Sequence, residues 1–491
     1  MLFCGLFWHN YGLWVRRMTG KKLLTPENLR EYQRLITDHQ LSIPRNAIWA
    51  GMGLGKGAAT LTTIDARIMA GEDAPTLVLG PLRVARDVWP DEAKKWSHTK
   101  HLNITPIIGT EKERIAALKY DSEIFTTNYE QIPWLVEHLG TRWPFKNIVA
   151  DESSKLKGFR LRQGGQRTAA LGKVAHTYVK SFTELTGSHA PNGLKDLWGP
   201  LWYVDRGNRL GRTFSAFTQR WFKASPDGYG SIAMPHAQGE IEELLRDVCL
   251  TIDAKDYFDL KDPIIRNIGI VLPKKVRELY KELEKKYFME LECGTVIDAV
   301  NGAARSSKLL QCCSGAVYLN PEVDNDSHKN AKEFRVLHDE KLDALDDIME
   351  ETGGTPLLVA YQFKSDLARL RKRYPQGKWL SDKTEMEEFK TGKFQLGFGH
   401  PKSMGHGVDG LQQHCFTAVN FSGNWNLEEH EQIMARIGPV RQIQAGFDRS
   451  VFVYNLIAED TIDEVVAERL ITKASVQDSL REAMKRRKEK D

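Results

Sequence analysis

Residues 48–70 read Ile-Trp, then AGMGLGKG, then AATLTTIDARIMA: an apolar run, a turn with glycines at 51, 53 and 55, a lysine, and a helix-forming stretch. No other segment restricts the fold as much. A chain that leaves a buried strand, turns on glycines and enters a helix at once is building a strand-turn-helix unit, and such units belong to parallel sheets. The glycines Gly51, Gly53 and Gly55 let backbone N–H groups converge without Cβ obstruction, just ahead of the positive end of a helix, so the turn can cradle phosphate groups. Lys56 is then placed to reach the β and γ phosphates of a nucleotide. The turn departs from the general pattern G-x-x-x-x-G-K-[ST] at Ala50, which replaces the first glycine, and at Gly57, which replaces the hydroxyl residue that ligates magnesium. Without that hydroxyl the metal would be held by Asp151, nucleotide oxygens and water, with Thr60 one turn along as a further candidate.

The same rhythm continues. NAIWA, PTLVLGP, SEIFTTN and NIVADE each precede a turn or helix signal, and PLLVAYQF, FQLGFGHP, CFTAVNFSG and SVFVYNLIA repeat the pattern later. The expected fold is therefore α/β, with two doubly wound parallel-sheet lobes and a helical insertion between them. The boundaries read as an N-terminal extension at 1–21, lobe 1 at 22–225, a helical insertion and linker at 226–334, lobe 2 at 335–475 and a charged tail at 476–491. A chain of 491 residues exceeds what one hydrophobic core supports, which agrees with two lobes. The opening MLFCGLFWHNYGLW is too short to cross a bilayer and has no basic residue ahead of it, so it is a poor signal peptide; Met18 is an alternative start.

An apolar fraction of 41% and a charged fraction of 27% are those of a soluble globular protein. The formal charge of +4 is mildly basic and compatible with a nucleic-acid partner held on one face. The six cysteines include no CxxC spacing, so neither a zinc site nor a disulfide framework is indicated, and a reducing compartment fits.

NIVADESS is an apolar strand that ends in Asp151-Glu152, adjacent carboxylates with different jobs. Asp151 would anchor magnesium, and Glu152 would orient and deprotonate an attacking water as general base. With these residues in place, the chain resembles the Snf-type ATPases of helicase superfamily two, especially compact phage-like members. The resemblance spans about residues 22–470 and rests on motifs in order: LREYQ, GMGLGKG, LVLGPLRVARDVWPDEAKKW, TTNYEQ, DESSKLKG, LTGSHAPNGLKDLW, KLLQCCSGAVYL, SMGHGVDGLQ and EQIMARIGPVRQ.

The resemblance implies that the two doubly wound lobes are RecA-like and that the chain is a nucleic-acid-stimulated ATP hydrolase that uses ATP and Mg2+. It implies that Gln33 reads the adenine edge, that Gln432 contributes to the nucleotide site, and that Thr186, Gly187 and Ser188 couple the γ-phosphate to movement. Gly405 and His406 would contact nucleic acid, with Asp409 in the coupling loop. Arg436 and Arg441 resemble arginine fingers, which neutralise charge developing on the transferred phosphoryl group. They stand five apart around Gly438-Pro439, whereas the common spacing is three. Proline would interrupt the helix there, either swinging Arg441 back towards the site or leaving Arg436 as the sole finger.

For the track, the implied phosphate contacts are Arg83, Asn128, Lys155 and Lys157, which would make binding salt-dependent and nearly indifferent to sequence. Trp89 and Trp96 read as core residues. The reading is thus an ATP-driven translocase on nucleic acid, with duplex DNA the expected track. Its rivals are a strand-separating helicase, a hydrolysis-poor clamp that is ATP-gated or ATP-independent, and a plain nucleotide kinase or metabolic P-loop enzyme, which is disfavoured because one lobe would suffice and Arg436 would lack a role. The chain is expected to act as a monomer without membrane attachment, with a targeting protein still to be identified. Resemblance to phage-encoded members implies the cytoplasm of a bacterial host.

Overall fold

The computed structural model describes residues 23–162, 164–187, 190, 193–224, 231–293, 306–319, 333–404 and 408–472. Contacts divide the chain into two compact units: Met1–Ile48, Gly55–Asp151 and Ala170–Glu184 form one, and Trp49–Leu54, Glu152–Ala169 and Leu185–Asp491 form the other.

Strands β1 (Arg45–Ala50), β2 (Thr76–Gly80), β3 (Ile104–Pro106), β4 (Ile124–Asn128), β5 (Asn147–Asp151) and β6 (Ser181–Thr186) carry the first sheet. A hairpin, β7 (Phe222–Ala224) and β8 (Ser231–Ala233), stands apart from it, and β9 (Cys249–Ile252) completes the order β3-β4-β2-β5-β6-β1-β9. The central strands are short unbroken apolar runs because helices cover both faces of a parallel sheet; every residue of β2, β4 and β6 is buried. The pairs β2–β4, β2–β5 and β3–β4 run parallel. Functional side chains in such sheets gather where strands end, and β1, β5 and β6 end at Ala50, Asp151 and Thr186.

The second sheet comprises β10 (Ile264–Ile270), β13 (Leu357–Ala360), β14 (Lys378–Trp379), β15 (Leu396–Gly399), β16 (Thr417–Asn420) and β17 (Phe452–Ala458), in the order β10-β17-β16-β13-β15-β14. All of its pairs are parallel. Alternation along β13 divides the core: Leu357 and Val359 pack with Leu345, Leu370 and Tyr454, while Leu358 and Ala360 pack with Met404, Leu411 and Ile433. A small antiparallel pair, β11 (Ala316–Tyr318) and β12 (Phe334–Val336), lies beside it.

Two parallel-sheet α/β lobes are thus present, as expected. The stretch 226–334 holds more than a helix and a linker. Its helix Lys274–Cys293 is there, but β9 joins the first sheet and β10 the second. The strand β10 escaped notice because most of it is exposed at a sheet edge, which mutes the apolar signal. A fully buried ion pair, Lys341 Nζ to Asp463 Oδ2 at 2.6 Å, ties the helix Glu340–Glu351 to the helix Ile462–Thr472. Among the described residues no helix is long and apolar enough to cross a membrane.

Candidate nucleotide site

The glycine-rich turn has distinct demands at each position. Gly53 and Gly55 adopt φ of 83° and 70°, the left-handed region that L side chains avoid. A Cβ on Gly55 would stand 2.2 Å from Gln33 Nε2. The Gln33 side chain is buried against the turn: Nε2 donates to Gly55 O at 3.3 Å, and Oε1 accepts from Arg30 N–H at 2.9 Å. Gly57 is already inside the helix Lys56–Met69, and nothing lies within 4 Å of where its Cβ would be. The missing hydroxyl is therefore not a steric necessity. Thr60 does not replace it: its side chain is buried and accepts from Gln40 Nε2 at 2.9 Å, facing the helix Glu31–Ser42. Lys56 is the first residue of its helix, where N–H groups and the macrodipole favour an anion.

At the end of β5, Asp151 is held at two points. Trp89 Nε1 donates to its Oδ2 at 3.0 Å, and Tyr129 Oη donates to its carbonyl oxygen at 2.9 Å. Glu152 comes next, with φ 58° and ψ 54°, one of three non-glycine residues with positive φ among the described residues. The left-handed region costs a β-carbon residue roughly 1–2 kcal/mol. Strain of that kind persists where the surroundings over-determine a conformation, and it clusters at functional sites.

The second unit holds the arginines. Helix Leu427–Met434 stops before Gly438, and Pro439 opens a new helix, Pro439–Gln444. Arg436 Nη1 donates to Val408 O at 3.1 Å. Arg441 Nη1 donates to Asp409 Oδ1 at 3.2 Å, and its Nε would be 3.1 Å from a Cβ on Gly53. Gln444 Nε2 donates to Gly53 O at 2.8 Å. The break at Pro439 thus brings Arg441, with Gln444 a turn later, against the residue 49–54 turn that belongs to the same unit. Gln432 is buried and donates to Glu428 Oε1 at 3.4 Å, which also accepts from Ser154 Oγ at 3.0 Å. A cavity of about 650 Å³ in this unit is lined by Gly51, Met52, Gly187, Glu431 and Gly438.

Other expected contacts fall out variously. Thr186 is buried at the end of β6, and a Cβ on Gly187 would meet Met52 Cγ at 3.1 Å. Lys155 is exposed, and Lys157 lies 3.8 Å from Asp196 Oδ2. Arg83 is half-buried, and burial lowers its pKa. Asn128 is buried, with Nδ2 donating to Glu130 Oε2 at 2.7 Å, so it is not presented to solvent. Trp89 and Trp96 are core residues as read, 2% and 5% exposed. Ser188, Gly405 and His406 lie outside the described residues. Sequence reasoning missed Gln444 and the bond from Trp89 to Asp151; a residue's reach across 62 positions has no spacing signal.

A glycine-rich strand-turn-helix and a strand-end acid pair on one parallel sheet define a nucleotide-binding α/β protein. Comparison with known proteins makes the class specific. The SNF2-related domain matches residues 43–312, more than half of the chain. "Putative protein p41" of Acyrthosiphon pisum secondary endosymbiont phage 1 is 48% identical over 480 residues, covering 95% of this chain and 100% of that protein. The chain belongs to the SNF2-related family and carries its helicase-like ATPase domain. It also resembles two proteins of Saccharomyces cerevisiae, nuclear protein STH1/NPS1 (24% identical, 92% of this chain) and the ISWI chromatin-remodeling complex ATPase ISW2 (23%, 91%). It spans only 35% and 40% of their lengths. A solved Sulfolobus solfataricus SWI2/SNF2 ATPase core in complex with dsDNA aligns over 91% of each chain at 21% identity, with a TM-score of 0.42.

Proposed function

We propose that this chain hydrolyses ATP and uses the cycle to translocate on duplex DNA. The observation that carries the reading is Glu152 held in a left-handed conformation at the end of β5, beside Asp151 and on the same sheet as the glycine-rich turn. Lys56 and the N–H groups of the turn bind the β and γ phosphates. Glu152 accepts the proton of the attacking water. Arg441 is the better-placed finger, because its guanidinium lies along the turn beside Gly53. Gln33 remains the candidate for the adenine edge.

Asp151 would hold Mg2+. A single carboxylate suits Mg2+, which takes one or two carboxylates and completes its shell with phosphate oxygens and water. When bound, Mg2+ would neutralise charge on the phosphates.

For the track, residues 153–167 contain Lys155, Lys157, Arg160, Arg162 and Arg167 and no acidic residue. Such a run suits the phosphate backbone and predicts salt-dependent binding without sequence preference. Displacement of a triplex-forming strand from duplex DNA reads translocation directly, and a forked duplex reads strand separation. ATP-dependent triplex displacement that Lys56→Ala abolishes is expected; separation of the fork without triplex displacement would favour a helicase.

Gly57 supports a second reading, a hydrolysis-poor clamp that grips DNA under ATP control. Its site has room for a threonine. On that reading Gly57→Thr raises turnover sharply, whereas on the first it changes an already brisk rate little.

A further inference from the structure

The indole of Trp89 is almost wholly buried, yet its N–H is aimed at a carboxylate at the mouth of the sheet. We propose that Trp89 is a positioning residue that orients Asp151 for Mg2+. The inference rests on the reading of Asp151 as the metal-bearing residue and adds a part that no motif spacing supplied.

The route to the bond is built into the fold. Trp89 comes directly after a five-residue π-turn, Val84–Val88, and its own backbone N–H bonds Val84 O across five residues. A π-turn inserts an extra residue into the helical repeat and so rotates the residues downstream of it, a device common at functional sites. Thr126 Oγ1 on β4 donates to Ala85 O at 2.5 Å, which pins the turn to the sheet. The indole therefore arrives at Asp151 from a fixed direction. An indole N–H can only donate, so it cannot exchange roles with an incoming water or ion. It fixes Oδ2 as an acceptor and with it the direction of the whole carboxylate, while Tyr129 fixes the backbone of the same residue.

In most phosphate-binding turns a hydroxyl residue after the lysine shares the task of holding the metal. Here that position is Gly57, and the nearest substitute, Thr60, is engaged by Gln40. The chain's own hold on the ion thus concentrates on Asp151, and its alignment matters more than usual. Partners that orient a metal ligand are typically worth 10- to 100-fold in metal affinity or activity.

The test monitors binding of a fluorescent ADP to the full chain as Mg2+ is raised, so hydrolysis is not the readout. Trp89→Phe should shift the Mg2+ midpoint upward by about tenfold or more, with metal-free nucleotide affinity unchanged. Replacing the Trp89 indole by a benzothiophene isostere, which keeps the shape and removes only the N–H, should give the same shift at an unchanged melting temperature. A purely structural indole would lower the melting temperature in Trp89→Phe and leave the Mg2+ midpoint alone; an unmoved midpoint in the isostere overturns the proposal. Asp151→Asn separates the two layers. If it too leaves the Mg2+ dependence intact, the reading of Asp151 itself is wrong; if it weakens it while the isostere does not, only the role of Trp89 is.

Discussion

Two alanines, two residues apart, should have opposite effects on stability. At Gly55 the backbone is left-handed, which costs an alanine roughly 1–2 kcal/mol. The new Cβ would also stand 2.2 Å from Gln33 Nε2, so the amide must leave and its bond to Gly55 O is lost, a further 1 kcal/mol or so. Reduced freedom of the unfolded chain returns about 0.5 kcal/mol. The net expectation is a loss of about 2 kcal/mol for Gly55→Ala, summing those terms. Gly57 sits in the helix with nothing near its Cβ position, so Gly57→Ala should gain about 1 kcal/mol from helix propensity alone. Urea denaturation of the two variants beside the parent measures both. If Gly55→Ala unfolds at the parent's midpoint, or Gly57→Ala is the less stable of the pair, the left-handed turn and its packing against Gln33 are not as described.

Glu152→Gly should remove left-handed strain and leave stability unchanged or raised by about 1 kcal/mol, while ATP turnover falls by about 100-fold or more; loss of stability with turnover intact would argue that Glu152 is structural. Lys341→Met should cost about 3–5 kcal/mol in urea denaturation because it strands the buried Asp463 carboxylate, and Lys341→Met with Asp463→Leu should recover most of it. Burial pushes the pKa of His338 down to about 4, so the folded chain keeps it neutral where the unfolded chain, at about 6.5, takes a proton. Its contribution is complete above about pH 6.5 and is lost as pH falls towards 4, at no more than about 1.4 kcal/mol per pH unit. Thermal melts of His338→Gln should therefore show a shallower acid limb than the parent; superimposable limbs would place that proton elsewhere.

The elements with strong local signals were legible in the sequence. The β1-turn-helix unit announced itself through its glycines, and β5 through an apolar run closed by two acids. The strand β10 did not, because an exposed edge strand just after Asp262-Pro263 loses the continuous apolar character of its neighbours. Position 60 misled because its partner, Gln40, sits on a preceding helix and only packing brings the two together. The arginine spacing was readable as a break, but the direction of Arg441 depends on Pro439 starting a separate helix. Trp89 was rightly read as buried; burial says nothing of where one N–H points, and that is what links it to Asp151.

The most direct trial of the account is ATP turnover measured with no nucleic acid, then with duplex DNA, single strands and RNA, in the parent chain and in Glu152→Gln. Duplex DNA should raise turnover well above the basal rate, and Glu152→Gln should bind nucleotide yet turn over under none of these conditions. Equal rates with and without duplex, or a Glu152→Gln chain as active as the parent, would contradict it.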